Sequence, residues 1–276
     1  MGGKILALKP FLKWAGGKRW LIDRDEFCVP EFSGAYIEPF LGGAAIFFHL
    51  APTRALLSDS NPRLIESYQA IRDDWVSVWE MLNTHQRLHS SLYYYEERSR
   101  KHESKIARAA QFIYLNRACW NGLYRENLKG DFNVPIGTKT AIVASDDDFA
   151  SVAELLSVAT IKNCDFQETI EAATEGDFLF VDPPYTTAHN FNGFVKYNQR
   201  IFNWDDQIRL RDALAGAASR GCEVLVTNAD HSSISELYDG IGHVTQISRA
   251  SVISGKLNGR KSTTEKIIRL GPSAYC

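Results

Sequence analysis

"GDFLFVDPPYTTA", residues 176–188, begins as a core strand and stops abruptly. Phe178, Leu179, Phe180 and Val181 are apolar without alternation, the pattern of a strand covered on both faces. Asp182, Pro183, Pro184 and Tyr185 follow. Proline fixes φ and lacks an N–H, so the ladder cannot continue, yet each proline keeps a carbonyl acceptor. The Asp182 carboxylate and the Pro183 carbonyl are therefore two fixed acceptors at the end of a strand, with the ring of Tyr185 beside them. Two acceptors without a donor suit a planar amino group. Drawing on both of its N–H bonds localises a lone pair otherwise delocalised into the ring, and a preorganised arrangement needs no rearrangement during reaction. Such an amine could attack a methyl sulfonium. A strand merely stopped by Pro-Pro with a capping Asp explains a bare D-P-P, but not the tyrosine or a glycine turn upstream.

Outward from this stretch, short strand-like runs at 35–40, 54–59, 159–166, 177–183, 222–228, 243–249 and 265–271 alternate with helix-like stretches. That rhythm predicts an α/β fold with a mainly parallel sheet covered on both faces. The last two runs lack a helix-length spacer and predict an antiparallel edge pair. Asn61 and Pro62 mark a helix start, as N-cap and first helical residue. Residues 62–158 break the rhythm. They read as helices, notably over 93–115, followed by a loop rich in Gly, Asn and Pro. The expected organisation is a discontinuous catalytic domain, 1–61 and 159–276, with an inserted helical domain at 62–158.

A chain of 276 residues with 45% hydrophobic content can bury a substantial core. No apolar run reaches a membrane span, and the first residues lack a signal-peptide pattern, so a cytoplasmic location is expected. Five scattered cysteines without C-x-x-C spacing argue against a disulfide framework or a zinc site. His85 and His89 have helical spacing but lack the glutamate of an H-E-x-x-H metal motif. Net charge is only −2, but residues 100–139 hold eight Lys/Arg against three acids, and 249–269 hold six against one. Two basic segments fit a polyanionic partner, although solvated faces would give the same count.

In "YIEPFLGGAAIFFHL" a glycine pair, Gly42 and Gly43, lies where a strand turns into a helix, which lets a ligand approach the backbone. Asp59 ends the next strand, where an acid can accept hydrogen bonds from ribose hydroxyls. An adenosine-like ligand is expected there. No G-x-x-x-x-G-K-[ST] loop is present, which disfavours a nucleoside triphosphate. "FLKWAGGKRW", 11–20, offers Trp14 to an apolar part of the ligand and Lys18 to a carboxylate, or is simply a loop anchored by a buried tryptophan.

Together, "FLKWAGGK", "EPFLGG", "DPPY" and "NRACWNGLYRENLKGDFNVPIG" (116–137) resemble, in family order, the DNA adenine-N6 methyltransferases of the Dam type from bacteria and phages. The resemblance covers nearly the whole chain. It implies the Rossmann-like fold of S-adenosylmethionine-dependent methyltransferases, with S-adenosylmethionine as cofactor and double-stranded DNA as partner. Trp14 and Lys18 would contact the methionine part of the cofactor, Phe40 and Gly42 would line the turn, and Asp59 would hold the ribose. Asp165 and Phe166 would meet its adenine. Asp182, Pro183 and Tyr185 would grip the amino group of a target adenine flipped from the duplex, with GATC as the expected site, and Asp182 would also contact the cofactor. Trp120 would enter the base stack, with Asn121 in the same recognition segment. Arg125 would read guanine, and Leu123 and Pro135 would meet a thymine methyl. Arg117 and Lys129 would hold phosphate.

The chain departs from the family pattern at Ala44, Trp120, Tyr124 and Glu126. Residues 186–203 are expected to form a loop that orders on DNA, with Phe194 or Tyr197 helping to enclose the base. The segment 249–268 resembles a basic hairpin near the DNA backbone. Rival readings are a methyltransferase acting on cytosine N4 or on RNA, and a non-catalytic DNA-binding regulator that keeps the fold. Cytosine C5 chemistry needs a Pro-Cys, which is missing.

Overall fold

A computed structural model describes residues 8–127, 130–188, 202–250 and 262–274. Seven strands form one sheet: β1 (Tyr36–Glu38), β2 (Ala55–Asp59), β3 (Ala159–Asn163), β4 (Phe178–Val181), β5 (Glu223–Ala229), β6 (His243–Ala250) and β7 (Ser262–Leu270), in the order β3-β2-β1-β4-β5-β7-β6. β1 pairs in parallel with β2 and β4, and β4 with β5. β7 is antiparallel to both β5 and β6, which gives the expected antiparallel pair at the edge. The strands begin and end within a few residues of the expected runs.

The chain divides into two compact units. One comprises residues 23–40, 54–58 and 164–276. Its core includes Ile37, Leu179, Val181, Leu210, Val224, Val226 and Ile268, all buried. Among its described residues are the helices α6 (Phe166–Glu171), α7 (Trp204–Ser219) and α8 (Ser232–Leu237). Asn203 and Asp206 start α7 with a reciprocal capping box, which satisfies two backbone donors at once. All four residues of β4 are buried, as their unbroken apolar character requires.

The other unit comprises residues 1–22, 41–53 and 59–163. Its helices are α1 (Ala45–Leu50), α2 (Pro62–Leu88), α3 (Ser91–Ser99), α4 (Lys105–Ala118) and α5 (Phe149–Leu156). Asn61 caps α2 as expected, accepting from the N–H groups of Arg63 and Leu64 with Pro62 at the first position. Asp74 leaves helical geometry inside α2 and accepts from Ser77 N–H, so it starts the second half as a cap would. The helical stretch 93–115 is broken between α3 and α4. Ser104 caps α4, and buried Glu97 gathers Arg100 and His102 at the break.

Among the described residues, no helix is long and apolar enough to cross a membrane. Residues 189–201, with Phe194 and Tyr197, lie outside the described residues, as do 251–261 and Lys129.

Buried His85 stacks on Tyr114 at 4.8 Å and hydrogen-bonds the Tyr93 hydroxyl at 2.8 Å. Burial pulls its pKa from 6.5 to about 4. The unfolded chain takes up the proton near 6.5 and the folded one only near 4, so stability falls as pH drops through that window and is flat above it. Urea denaturation at stepped pH should show this limb at up to about 1.4 kcal/mol per pH unit. His85→Leu should flatten it.

Candidate active site and recognition loop

In the unit that carries β4, the strand order reverses between β1 and β4, and in such sheets ligands bind beyond the strand ends at that reversal. Pro39 and Phe40 follow β1 there, and Asp182 and Pro183 follow β4. Asp182 Oδ1 accepts a hydrogen bond from the Thr227 hydroxyl at 2.7 Å. The Tyr185 hydroxyl donates to Glu265 Oε2 at 2.5 Å, and Arg249 donates to Oε1 of the same carboxylate at 3.1 Å. Burial first, then the charges of Asp182 and Glu265, hold the Tyr185 phenol well above its ordinary pKa, so it remains a neutral donor.

Phe40 and Phe166 stack at 5.3 Å, and the edge of Phe40 meets Phe202 at 5.6 Å. Asp165 caps α6 by accepting from Gln167 N–H, and its other oxygen pairs with Arg209 at 3.0 Å. The Arg209 guanidinium also lies 4.7 Å from the Phe166 ring centre. Phe166 is thus a packed aromatic with a cation against it, and the exposed Asp165 carboxylate already has a charged partner.

In the other unit, Asp59 Oδ2 accepts from Gly42 N–H at 3.1 Å and Oδ1 from Asn61 N–H at 2.9 Å. Burial raises its pKa, and the backbone donors of Asn61 and Gly42 oppose that rise. Gly42 has φ +46°, and a Cβ on it would lie 2.7 Å from Trp14 Cδ1. The turn therefore requires glycine both for its conformation and for the indole packed on it. Ala44 takes a left-handed conformation at φ 53°, as the N-cap of α1. Lys18 is buried, and its ammonium donates to Gly16 O at 2.8 Å.

The recognition segment is a closed loop within that unit. Trp120 N–H donates to Pro135 O, Asn133 N–H to Arg125 O, and Gly137 N–H to Ala118 O. Trp120 is 52% exposed and Leu123 36%, unusual for side chains of their size. Asn121 has φ 56° and is exposed, as are Arg125 and Pro135; Arg125 Nε donates to Asn133 Oδ1 at 2.9 Å.

Arg117, expected at phosphate, has its guanidinium engaged within the fold. Its guanidinium grips both oxygens of Asp147 at 2.6 and 2.8 Å and donates to Phe11 O and Ile142 O, with both partners only 11% exposed. It is a structural clamp. The basic count over 100–139 overstates positive charge for a similar reason: Arg100, Lys101, Lys105 and Arg108 face Glu97, Asp131, Asp73 and Glu66. Likewise Arg249 pairs with Glu265 and Lys266 with Asp230.

Sequence reading missed Thr227 and Glu265, and also Asn116. Fully buried Asn116 ties the loop to the N-terminal motif, bonding Lys13 N–H and Lys13 O and reaching Gly122 O. Tyr124, noticed only as a departure, stacks on Trp14 at 5.4 Å and hydrogen-bonds Glu126.

Residues 14–253 match the family described as D12 class N6 adenine-specific DNA methyltransferase, and the chain belongs to that family. Type II methyltransferase M1.LlaDCHI of Lactococcus lactis subsp. cremoris is 36% identical over 270 residues, covering 95% of each chain. The DNA adenine methylase of Haemophilus influenzae is 32% identical over 238 residues, covering 84% of this chain and 83% of its own. That of Escherichia coli is 29% identical over 269 residues, covering 96% of each. The protein is a DNA adenine methyltransferase acting on DNA.

Arg117→Ala should lower folding stability by about 3–5 kcal/mol, because it strands the nearly buried Asp147. Exposed Arg125→Ala should change stability by less than about 0.5 kcal/mol. Equilibrium denaturation of the two variants side by side checks both.

Proposed function

We propose that this enzyme transfers a methyl group from S-adenosylmethionine to N6 of an adenine extruded from duplex DNA, within GATC. The observation that carries the reading is the pair of acceptors, Asp182 and Pro183 O, directly after the central strand β4. When bound, S-adenosylmethionine supplies an electrophilic methyl group on a sulfonium sulfur. The chain's own groups suit that cofactor: an acid at the end of β2, a glycine turn donating to it, a buried lysine and a half-buried indole.

In this reading Trp14 and Lys18 hold the methionine part, Phe40 and Gly42 line the turn, and Asp59 binds the ribose. Asp165 and Phe166 meet the adenine of the cofactor, with Arg209 orienting the Asp165 carboxylate. Asp182 and Pro183 accept the two N–H bonds of the target amine and localise its lone pair, and Tyr185 covers the base. Trp120 fills the gap left by the extruded base, with Asn121 at its side. Arg125 reads guanine O6 and N7, Leu123 and Pro135 meet a thymine methyl, and Lys129 holds phosphate. Residues 1–61 and 159–276 act as the catalytic domain and 62–158 as the target-recognition domain. One chain holds every group the chemistry needs, so the enzyme works as a monomer, in the cytoplasm at the nucleoid.

Asp182→Ala should reduce single-turnover methyl transfer by at least about 100-fold while cofactor binding persists. Transfer at the wild-type rate would remove Asp182 from the chemistry. Unmethylated genomic DNA treated with the enzyme and sequenced at base resolution should show N6-methyladenine at GATC alone. With Arg125→Ala, preference for the guanine should fall by about 1–3 kcal/mol. Unchanged discrimination would count against that contact.

A further inference from the structure

We propose that Thr227 and Glu265 are positioning residues for methyl transfer, fixing the Asp182 carboxylate and the Tyr185 ring before the target base arrives. The inference rests on Asp182 and Tyr185 being the groups that engage adenine, as proposed above.

Strand register places the four groups in one row. Val181 of β4 pairs with Val226 of β5, so Asp182 emerges beside Thr227. Ala229 of β5 pairs with Glu265 of β7, which puts Glu265 diagonal to Thr227 on the same face of the sheet. Ile247 of β6 also pairs with Glu265, so Arg249 is diagonal to it from the far side, again on that face. Hydrogen bonds follow the row: Thr227 to Asp182, Tyr185 to Glu265, and Arg249 to Glu265.

A carboxylate only 6% exposed in a core strand is costly unless it is paired and hydrogen-bonded. Arg249 balances the charge of Glu265, and the Tyr185 phenol takes its second oxygen. The short charge-assisted bond anchors the far end of the ring, and because a phenolic O–H prefers the ring plane, the direction of that bond also biases the plane. That plane decides whether the ring can lie flat on a base. Thr227, 1% exposed, sets the torsion of the Asp182 carboxylate in the same way. Neither residue needs to touch the substrate.

The test measures single-turnover transfer from methyl-labelled S-adenosylmethionine to unmethylated plasmid DNA, with the cofactor's KM and thermal melting recorded for each variant. Tyr185→Phe keeps the ring, and Glu265→Leu removes the acceptor. Each should lower the transfer rate on the order of 10- to 100-fold with little change in KM, since small misplacements act on the reacting geometry. Their double variant should be no slower than the slower single, because both break one link. Glu265→Gln keeps an acceptor oxygen and should recover most of the rate, and Thr227→Ser should recover what Thr227→Val loses. Multiplying losses in the double variant, or no recovery with Glu265→Gln, would overturn the proposal. Should Glu265→Leu fail to fold, Tyr185→Phe and Thr227→Val leave the Glu265–Arg249 pair in place and decide the matter. An inactive Asp182→Ala beside fully active Tyr185→Phe and Thr227→Val would sink positioning alone. An active Asp182→Ala would sink the underlying site.

Discussion

Where β4 stops fixes everything that follows at its carboxyl end. Four apolar residues hold the strand between β1 and β5 in a single register, because a slip would turn Leu179 and Val181 out of their packing. Two prolines then forbid a further ladder bond. Asp182 must therefore leave the sheet beside Thr227, and Tyr185 must end near β7. A backbone that cannot adjust suits the proposed role of Asp182 and Pro183 as acceptors in place before an amine arrives.

The helical unit meets a similar demand by different means. Its loop at 116–137, the proposed recognition segment, has few ladder bonds, and so needs struts. Asn116 supplies one, reaching from α4 to both the N-terminal motif and the loop backbone at Gly122. The Trp14–Tyr124 stack supplies another, on an indole that itself sits on the bare backbone of Gly42. Residues named for cofactor contact and residues named for sequence reading thus share one packed cluster. Rigid support leaves Trp120, Leu123 and Arg125 exposed on a fixed frame.

Much of this was legible from local pattern. The β4 run, the Asn61-Pro62 helix start and the antiparallel pair at the chain's end each have a short-range cause, and each stands as expected. The break between α3 and α4 was not legible, because helical periodicity continues through a segment that Ser104 and Glu97 interrupt. Long-range pairing hid the rest. Nothing near Arg117 in sequence announces Asp147, thirty residues on, so that pairing was not legible. Glu265 in "EKII" looks like an outward-facing charge until β6 and β7 place Arg249 and the Tyr185 hydroxyl against it. Charge counts along a segment are incomplete for the same reason, since Glu97, Asp73, Glu66 and Asp230 lie outside the segments counted.

The account turns on which amine the Asp182–Pro183 acceptors hold. The most direct measurement supplies S-adenosylmethionine with a deuterated methyl group and unmethylated DNA, digests the product to nucleosides and weighs them by mass spectrometry. All of the deuterated methyl should appear on N6 of deoxyadenosine, with at least about 100-fold less after the same time for Asp182→Ala. Label on N4 of deoxycytidine, or label on deoxyadenosine that persists without the Asp182 carboxylate, would contradict it.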